Sequence, residues 1–558
     1  MSGSFVLETL SAARDLGRLH EIASILARHG LGDLVRRVGI ASLLERAGKL
    51  LHLEHSDYGS KSPEVHVREA LEELGPTWVK VGQILSGRSD LLPPEWIEEL
   101  SRLHEHATPV PIEQIREQLL EDLGAPPEEV FAAFDPEPLA AASIAQVHRA
   151  KLHNGTEVVL KIRRPGIKKD VAADMRLLAR VAEHAEQEFE GLRQYRPTAL
   201  VKQISRSLKL ELNLRNEARS AERIAELLGG DHRIVIPHVH AEWTHERLCV
   251  MDYLEGPSVG EWLKERSLSD MDPKLAARIG ADAVLEMVFV HGFFHADPHP
   301  GNVLVLSGER LGLLDFGMIG SLSDGRRLEF LELLAAFVQH DEETVVDLLI
   351  DWSEHGRTDA RTLRADISAF IDQYDKVPLR ELDTAALLSD ITAILRENSL
   401  YLPDDIALLL KVFVTLDGMG RDLDPSFVTA NHVEPFARRA LAEFHSPRVL
   451  LRRGMSQLTR LMTHLPRTLR GALAQARRGK VGLEIDVVQL DTFGDRITRS
   501  ANRVTIGLVT SALIVGTSIS MTVSSGPSAL GWPLFGLLGF ASSVAAGTWL
   551  IISILRSR

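Results

Sequence analysis

Cysteine is almost absent from this chain of 558 residues: Cys249 stands alone. No intramolecular disulfide can form, and such usage points to a reducing compartment. Cys249 lies in the apolar run "LCVMDYLEG" with nothing nearby to lower its pKa, and reads as a buried core thiol rather than a nucleophile. An excess of positive charge is also missing. The formal net charge of -14 argues against a dedicated nucleic-acid binder, because gripping a phosphate backbone needs a positive surface. The opening stretch "MSGSFVLETLSAARDLGRLHEIASIL" has no sustained apolar core and carries acidic residues early, which argues against a secretory signal. What remains is ordinary for a folded protein, with 45% hydrophobic and 25% charged residues. The length suits several domains or one bilobal enzyme with extensions.

One region lacks charge altogether. From Val504 to Leu555 there is no Asp, Glu, Lys or Arg. "VTIGLVTSALIVGTSISMTVS" and "LFGLLGFASSVAAGTWLIISIL" are each long enough for a bilayer core, and "SGPSALGWP" separates them. The expectation is a two-helix transmembrane hairpin. Arg496, Arg499 and Arg503 on one flank and Arg556 and Arg558 on the other place both ends on the cytoplasmic side. The arginine-rich residues 431–500 read as a basic juxtamembrane helical segment facing lipid headgroups.

Between the ends, the pattern changes once. Residues 1–60 read as an amphipathic helical extension, and "VREALEELGPTWVK" continues helical with one break at Gly75-Pro76. The best strand signal is "ASIAQVHRAKL", then "NGTE", then "VVLKIRRPG", where Asn154-Gly155 marks a hairpin. A second strand pair is expected at "RIVIPHVHAEW" and "RLCVMDYLEG". After Gly256 the chain turns helical, interrupted by the short pair "NVLVL" and "LGLLDFG". Strands early and helices late suggest two unlike lobes.

The chemistry concentrates in "HADPHPGN". Asp297 and Asn302 bound one loop, and Asp315 follows in "LLDFG". Phosphoryl transfer needs oxygen ligands for Mg²⁺ and a carboxylate to orient the nucleophile, and these three supply that set. Positive charge for the phosphates would come from Lys161, which shares a strand face with Val159, and Glu217 is the best partner for its ammonium. His291, His295 and His299 recur at helical spacing, but Pro298 and Pro300 break any helix that would align them on zinc. His295 reads instead as a structural hydrogen-bonding residue.

Together these segments resemble the protein-kinase-like superfamily and, within it, the UbiB family of atypical (ADCK-type) kinases linked to ubiquinone biosynthesis. The resemblance is carried by "KVGQ" at 80–83 with "SGRSDLLPPE", by "LAAASIAQVHRA" at 139–150, by "VVLKIRRPG", and by "HGFFHADPHPGN" with "LLDFG". It implies that Lys161 contacts the α/β-phosphates of ATP and pairs with Glu217. It implies Asp297 at the catalytic position, Asn302 on a second metal and Asp315 on the principal Mg²⁺. Lys80 and Gln83 would lie on an added helical element gating the site, with Lys80 meeting Glu211; Asn213 stands where the family usually has Asp. Ala140, Ala141, Ala142 and Ser143 would replace the glycine-rich phosphate loop and crowd it with methyls.

The resulting expectation is an α+β, bilobal protein-kinase-like fold with an N-terminal helical extension and a C-terminal two-helix transmembrane hairpin. Its parts would be the extension (1–60), a KxGQ element covering the site (61–135), an N-lobe with a helical insert (136–256), a helical C-lobe (257–430), the basic segment (431–500) and the hairpin (501–556). By resemblance the chain would be a membrane-anchored Mg-ATP-binding ATPase supporting isoprenoid quinone biosynthesis, in a bacterial inner membrane with its catalytic domain in the cytoplasm. Its partners would be membrane lipid, isoprenoid quinone precursors and quinone biosynthesis proteins, with no nucleic acid; a homodimer is left open. The rival reading is a pseudokinase-like nucleotide-binding module that organises quinone biosynthesis proteins or lipid extraction.

Overall fold

The structure is a computed structural model describing residues 17–32, 35, 62–103, 108–189, 193, 195–352, 359–374, 384–444, 528–529 and 532–533. It divides into two units, residues 1–450 and 451–558. In the second unit the described residues are the strands Ser528–Ala529 and Trp532–Pro533, paired antiparallel.

Two short helices, Pro63–Leu74 and Pro76–Ser86, each begin on a proline, whose fixed φ and missing N–H cost nothing in a first turn. Gly75 separates them with φ 99°, a conformation that side chains disfavour. The second helix carries the KVGQ residues. Gly82 is needed there by close packing: a Cβ would come 2.2 Å from Leu103 Cδ1 and 2.9 Å from Leu71 Cδ1. The helix therefore presses against Pro63–Leu74 and the segment after Pro94–Ser101.

The N-lobe sheet has four antiparallel strands in the order Ala133–Ala141, Ala145–Lys151, Glu157–Arg163 and Leu248–Asp252. Asn154-Gly155 turns the chain between the second and third. The Asn154 side chain accepts from the Thr156 N–H at 2.9 Å, and Gly155 takes φ 91°. Alternation sends Val158, Leu160 and Ile162 into a core with Ile115, Leu119 and Phe131, and turns Val159 and Lys161 to the other face. The expected second strand pair forms differently. Leu248–Asp252 joins Glu157–Arg163, while Ile234–Val235 pairs parallel with Arg310–Leu313; a bridge between Val239 and Met251 and a 2.8 Å contact of His240 with Asp252 link the two segments.

Two helices, Ile167–Glu188 and Pro197–Glu211, follow the third strand. They bury Ile167, Val171, Met175, Ile204 and Leu208 with Val81 of the KVGQ helix and Ile144 of the alanine-rich turn. The C-lobe is helical, built from Pro273–Leu285 through Asp324–Val338 to Asp404–Leu423 and Thr429–Phe444. Phe289, Phe330 and Phe413 meet at its centre with ring centroids 6.0–6.2 Å apart. The hairpin Val303–Leu306 and Arg310–Leu313 lies where "NVLVL" and "LGLLDFG" indicated.

The transmembrane hairpin is not upheld, nor are the multi-pass inner-membrane location and membrane anchor drawn from it. Among the described residues no helix is long and apolar enough to cross a bilayer. A span needs about 20 consecutive apolar residues. Asp404–Leu423, one of the longest described helices, carries Asp404, Asp405, Lys411, Asp417, Arg421 and Asp422. The uncharged stretch 504–555 lies outside the described residues except for 528–529 and 532–533.

Candidate functional site: a lysine- and carboxylate-lined cleft

Lys161 reaches the cleft because strand register puts it there, opposite Val147 on one neighbour and Cys249 on the other. Its ammonium meets Glu217 Oε1 at 2.6 Å and Asp315 Oδ1 at 3.1 Å. Glu217 lies on the buried face of helix Leu214–Leu228, in line with Leu214, Ala218, Ala221, Ile224 and Leu228. A carboxylate on that apolar stripe must have a partner, and Lys161 is it. Burial pushes the Glu217 carboxyl up to about 7, against the pull of Lys161. Burial opposes the charge on Lys161 as well, but Asp315 and Glu217 outweigh it and hold the ammonium above the ordinary lysine range.

Asp315 follows the strand Arg310–Leu313 with φ 54°, a left-handed conformation that Asp tolerates better than most residues. Its carboxylate accepts the Gly317 N–H at 3.2 Å. Burial would raise it, yet Lys161 and Lys80 hold it below the usual carboxylate range.

The loop opposite is braced by His295, a fully buried residue in the strand Phe293–His295. The Asp297 N–H donates to its Nδ1 at 3.1 Å, so the ring proton sits on Nε2 and is donated to the Leu314 carbonyl at 2.8 Å. This ties the HADPHPGN loop to the residue before Asp315. Burial pushes the imidazole down and keeps it neutral. His299 Nδ1 accepts from the Gly301 N–H at 3.0 Å, while His291 sits in a turn of π-helix, Glu286–His291, so the three histidines do different local work. Among the described residues no group of three or more His, Cys, Asp or Glu side chains is gathered as a metal cage.

Asn302 donates its side-chain N–H to the Asp297 carbonyl at 3.2 Å, so a cation would meet its amide oxygen. Asp297 itself is held by Lys411, whose ammonium lies 2.8 Å from Oδ1. Burial works against the charge on Asp297, yet Lys411, His299 and Lys80 hold the carboxyl below its ordinary range.

Lys80 is buried and its ammonium lies 2.6 Å from Glu211 Oε1. Gln83 donates to the Leu103 carbonyl at 3.2 Å. Asn213 caps helix Leu214–Leu228, accepting the Arg215 N–H at 3.2 Å, which gives this departure from the family pattern a local structural role. Ala140 and Ala141 end a strand paired with Val147 and Gln146; the Ala142 N–H donates to the Ala145 carbonyl at 2.8 Å, and Ser143 is buried at the tip. Cys249 is fully buried and its thiol is pushed up to about 12 by burial, as expected of a core residue.

Lys411 was not visible as a site residue in the sequence. The signal was present, however: in "DDIALLLKVFVTLDG" a single lysine interrupts an apolar helical run, and a cation so placed needs a counter-charge.

A lysine on a sheet strand bridging a helix carboxylate and an Asp at a strand end, facing a His-braced Asp–Asn loop, defines a protein-kinase-like cleft. Residues 102–349 match the ABC1 atypical kinase-like domain, 367–428 the UbiB helical domain and 488–556 the ABC1/UbiB kinase-like C-terminal domain. The chain is 31% identical to a probable protein kinase UbiB of Xanthomonas campestris pv. campestris, over 89% of this chain and 92% of the relative. It is 30% identical to an uncharacterized protein of Synechocystis sp. over 81% of this chain and 79% of the relative. An uncharacterized protein from the hydrogenase 1 5′ region of Clostridium pasteurianum is 27% identical over 97% of this chain and 99% of its own length. The chain belongs to the UbiB/ABC1 atypical kinase-like family. Membership places it in a superfamily of both active kinases and pseudokinases, gives it a fold suited to nucleotide binding, and links it in general terms to quinone biosynthesis.

Proposed function

We propose that this protein is a nucleotide-binding, pseudokinase-like regulatory module of isoprenoid quinone biosynthesis, acting on other proteins of that pathway through its nucleotide state. The observation that carries the reading is the double contact of Lys161 with Glu217 and Asp315, 2.6 and 3.1 Å long, across the cleft from the Asp297–Asn302 loop. The donor set suits Mg-ATP: carboxylate and amide oxygens are the hard ligands that magnesium prefers, and a strand ammonium serves the phosphates. Bound Mg²⁺ would supply charge neutralisation for the phosphates, with Asp315 and the Asn302 amide oxygen as its protein ligands.

Two features favour regulation over rapid phosphoryl transfer to a protein. Lys80 is anchored on Glu211 rather than exposed to an acceptor. The alanine-rich turn replaces a glycine-rich one, so side-chain methyls stand where backbone N–H groups would otherwise approach phosphate. Slow or conditional ATP hydrolysis, with Asp297 orienting water, is compatible with the same residues.

Binding and turnover of Mg-ATP by the full chain test this directly. Asp315→Asn should abolish Mg²⁺-dependent binding, whereas Asp297→Asn should bind and lose residual hydrolysis. Full binding by Asp315→Asn would refute the site, and rapid phosphorylation of a protein acceptor by the wild type would refute the regulatory reading.

A further inference from the structure

Helix Asp404–Leu423 enters the cleft through one side chain. The Lys411 ammonium is 2.8 Å from Asp297 Oδ1, and only 18% and 23% of the two side chains are accessible. Its stem runs beside the end of the KVGQ helix: a Cβ on Gly87 would lie 3.2 Å from Lys411 Cδ and 3.9 Å from Cγ. The helix bearing Lys411 and the one before it are in turn fixed to the segment after KVGQ. Asp90 accepts the Leu402 N–H at 3.3 Å, Arg396 donates to the Ser89 and Leu92 carbonyls at 3.3 Å, and Arg88 lies 3.7 Å from Asp404. The backbone is thus set by packing, and the outer part of the side chain decides where the charge goes.

A polyphosphate needs cations along its whole length, because charge spreads over the transferred group as well as over the α/β-phosphates. Lys161 serves one end of the cleft. The loop at the other end offers Pro298, His299, Pro300 and Gly301 between Asp297 and Asn302, with no Lys or Arg among them. Lys411 contacts this loop through Asp297. Its bond to Asp297 is a charge pair that a second anion can compete for, since a lysine is a point charge with three donors and no fixed fork geometry.

We propose that Lys411 is a phosphate-binding residue of the cleft, resting on Asp297 when no polyphosphate is present and contacting the terminal phosphate of a bound nucleoside triphosphate. This rests on the nucleotide-binding reading above. Moving to phosphate also releases the Asp297 carboxylate, so that one lysine both recognises the triphosphate and frees the group that would orient water.

The test compares ADP with a non-hydrolysable ATP analogue, both with Mg²⁺, on the full chain. Lys411→Met keeps the stem over Gly87 and removes the charge. It should weaken binding of the triphosphate analogue roughly tenfold, the scale of one charged hydrogen bond, and leave ADP within about twofold. Equal weakening of both nucleotides, or no change in either, overturns the proposal while wild-type binding keeps the nucleotide reading intact. Wild-type protein that binds neither nucleotide overturns both. Should Lys411→Met fail to fold, Lys411→Gln removes the charge while keeping a polar side chain, and a triphosphate-to-diphosphate affinity ratio equal to wild type would overturn the proposal equally.

Discussion

The two ends of the cleft solve the same electrostatic problem in different ways. At one end Lys161 rises from a strand and meets two carboxylates, Glu217 and Asp315, inside a wall of apolar side chains. At the other, Lys411 reaches from a helix to one carboxylate, Asp297, that is less deeply covered than Glu217. Glu217 is 5% accessible and Asp297 23%, so the first pairing is fixed by desolvation and the second stays open to competition from a ligand. A strand sets its lysine by register. A helix sets only the Cα and leaves the reach to the side chain.

Removing Lys161 should break the contrast most visibly. Lys161→Met leaves Glu217 buried, and the half-buried Asp315 beside it, without their counter-charge, and urea unfolding should show a loss of about 3 kcal/mol. A loss below about 1 kcal/mol would mean that the strand end is no more rigid than the helix end. Protonation probes the same pairing more gently. Burial raises Glu217 from an ordinary 4.5 up to about 7, so the folded chain keeps a proton that the unfolded chain releases. The contribution is full below about pH 4.5 and is lost as pH rises through about 7. Unfolding free energy measured against pH should therefore fall relative to Glu217→Gln by about 3 kcal/mol across that window; a relative rise would contradict the assignment. The smallest effect belongs to the other end. Lys411→Met should cost only about 1 kcal/mol in urea unfolding, because Asp297 keeps access to water. A cost matching that of Lys161→Met would erase the difference between the two ends.

The same difference explains what could be read from the sequence. "VVLKIRR" alternates, so the face bearing Lys161 is fixed by a period of two, and Asn154-Gly155 fixes where the strand begins. Asp297, Asn302 and Asp315 lie within one short span, and their loop and hairpin carry local turn signals. Glu217 could be chosen because an acid on an apolar helical stripe demands a partner. Lys411 had the corresponding signal, but its partner lies 114 residues away across a helix–loop contact that no local pattern encodes. The second strand pair was misjudged for a related reason: Ile234–Val235 has strand composition, yet its hydrogen bonds go to Leu311 and Gly312 far along the chain. The uncharged C-terminal stretch suggested a bilayer hairpin from hydropathy alone, and no described helix has the length and apolarity to sustain that reading.

The most direct test of the cleft is thermal unfolding of the full chain with and without saturating Mg-ATP, for wild type and Asp315→Asn side by side. A ligand that binds only the folded state must raise the midpoint. The wild-type midpoint should rise with Mg-ATP and not with ATP plus a chelator, while that of Asp315→Asn should stay where it was. An equal rise in both proteins would contradict the convergence of Lys161, Asp315 and Asn302 on one nucleotide.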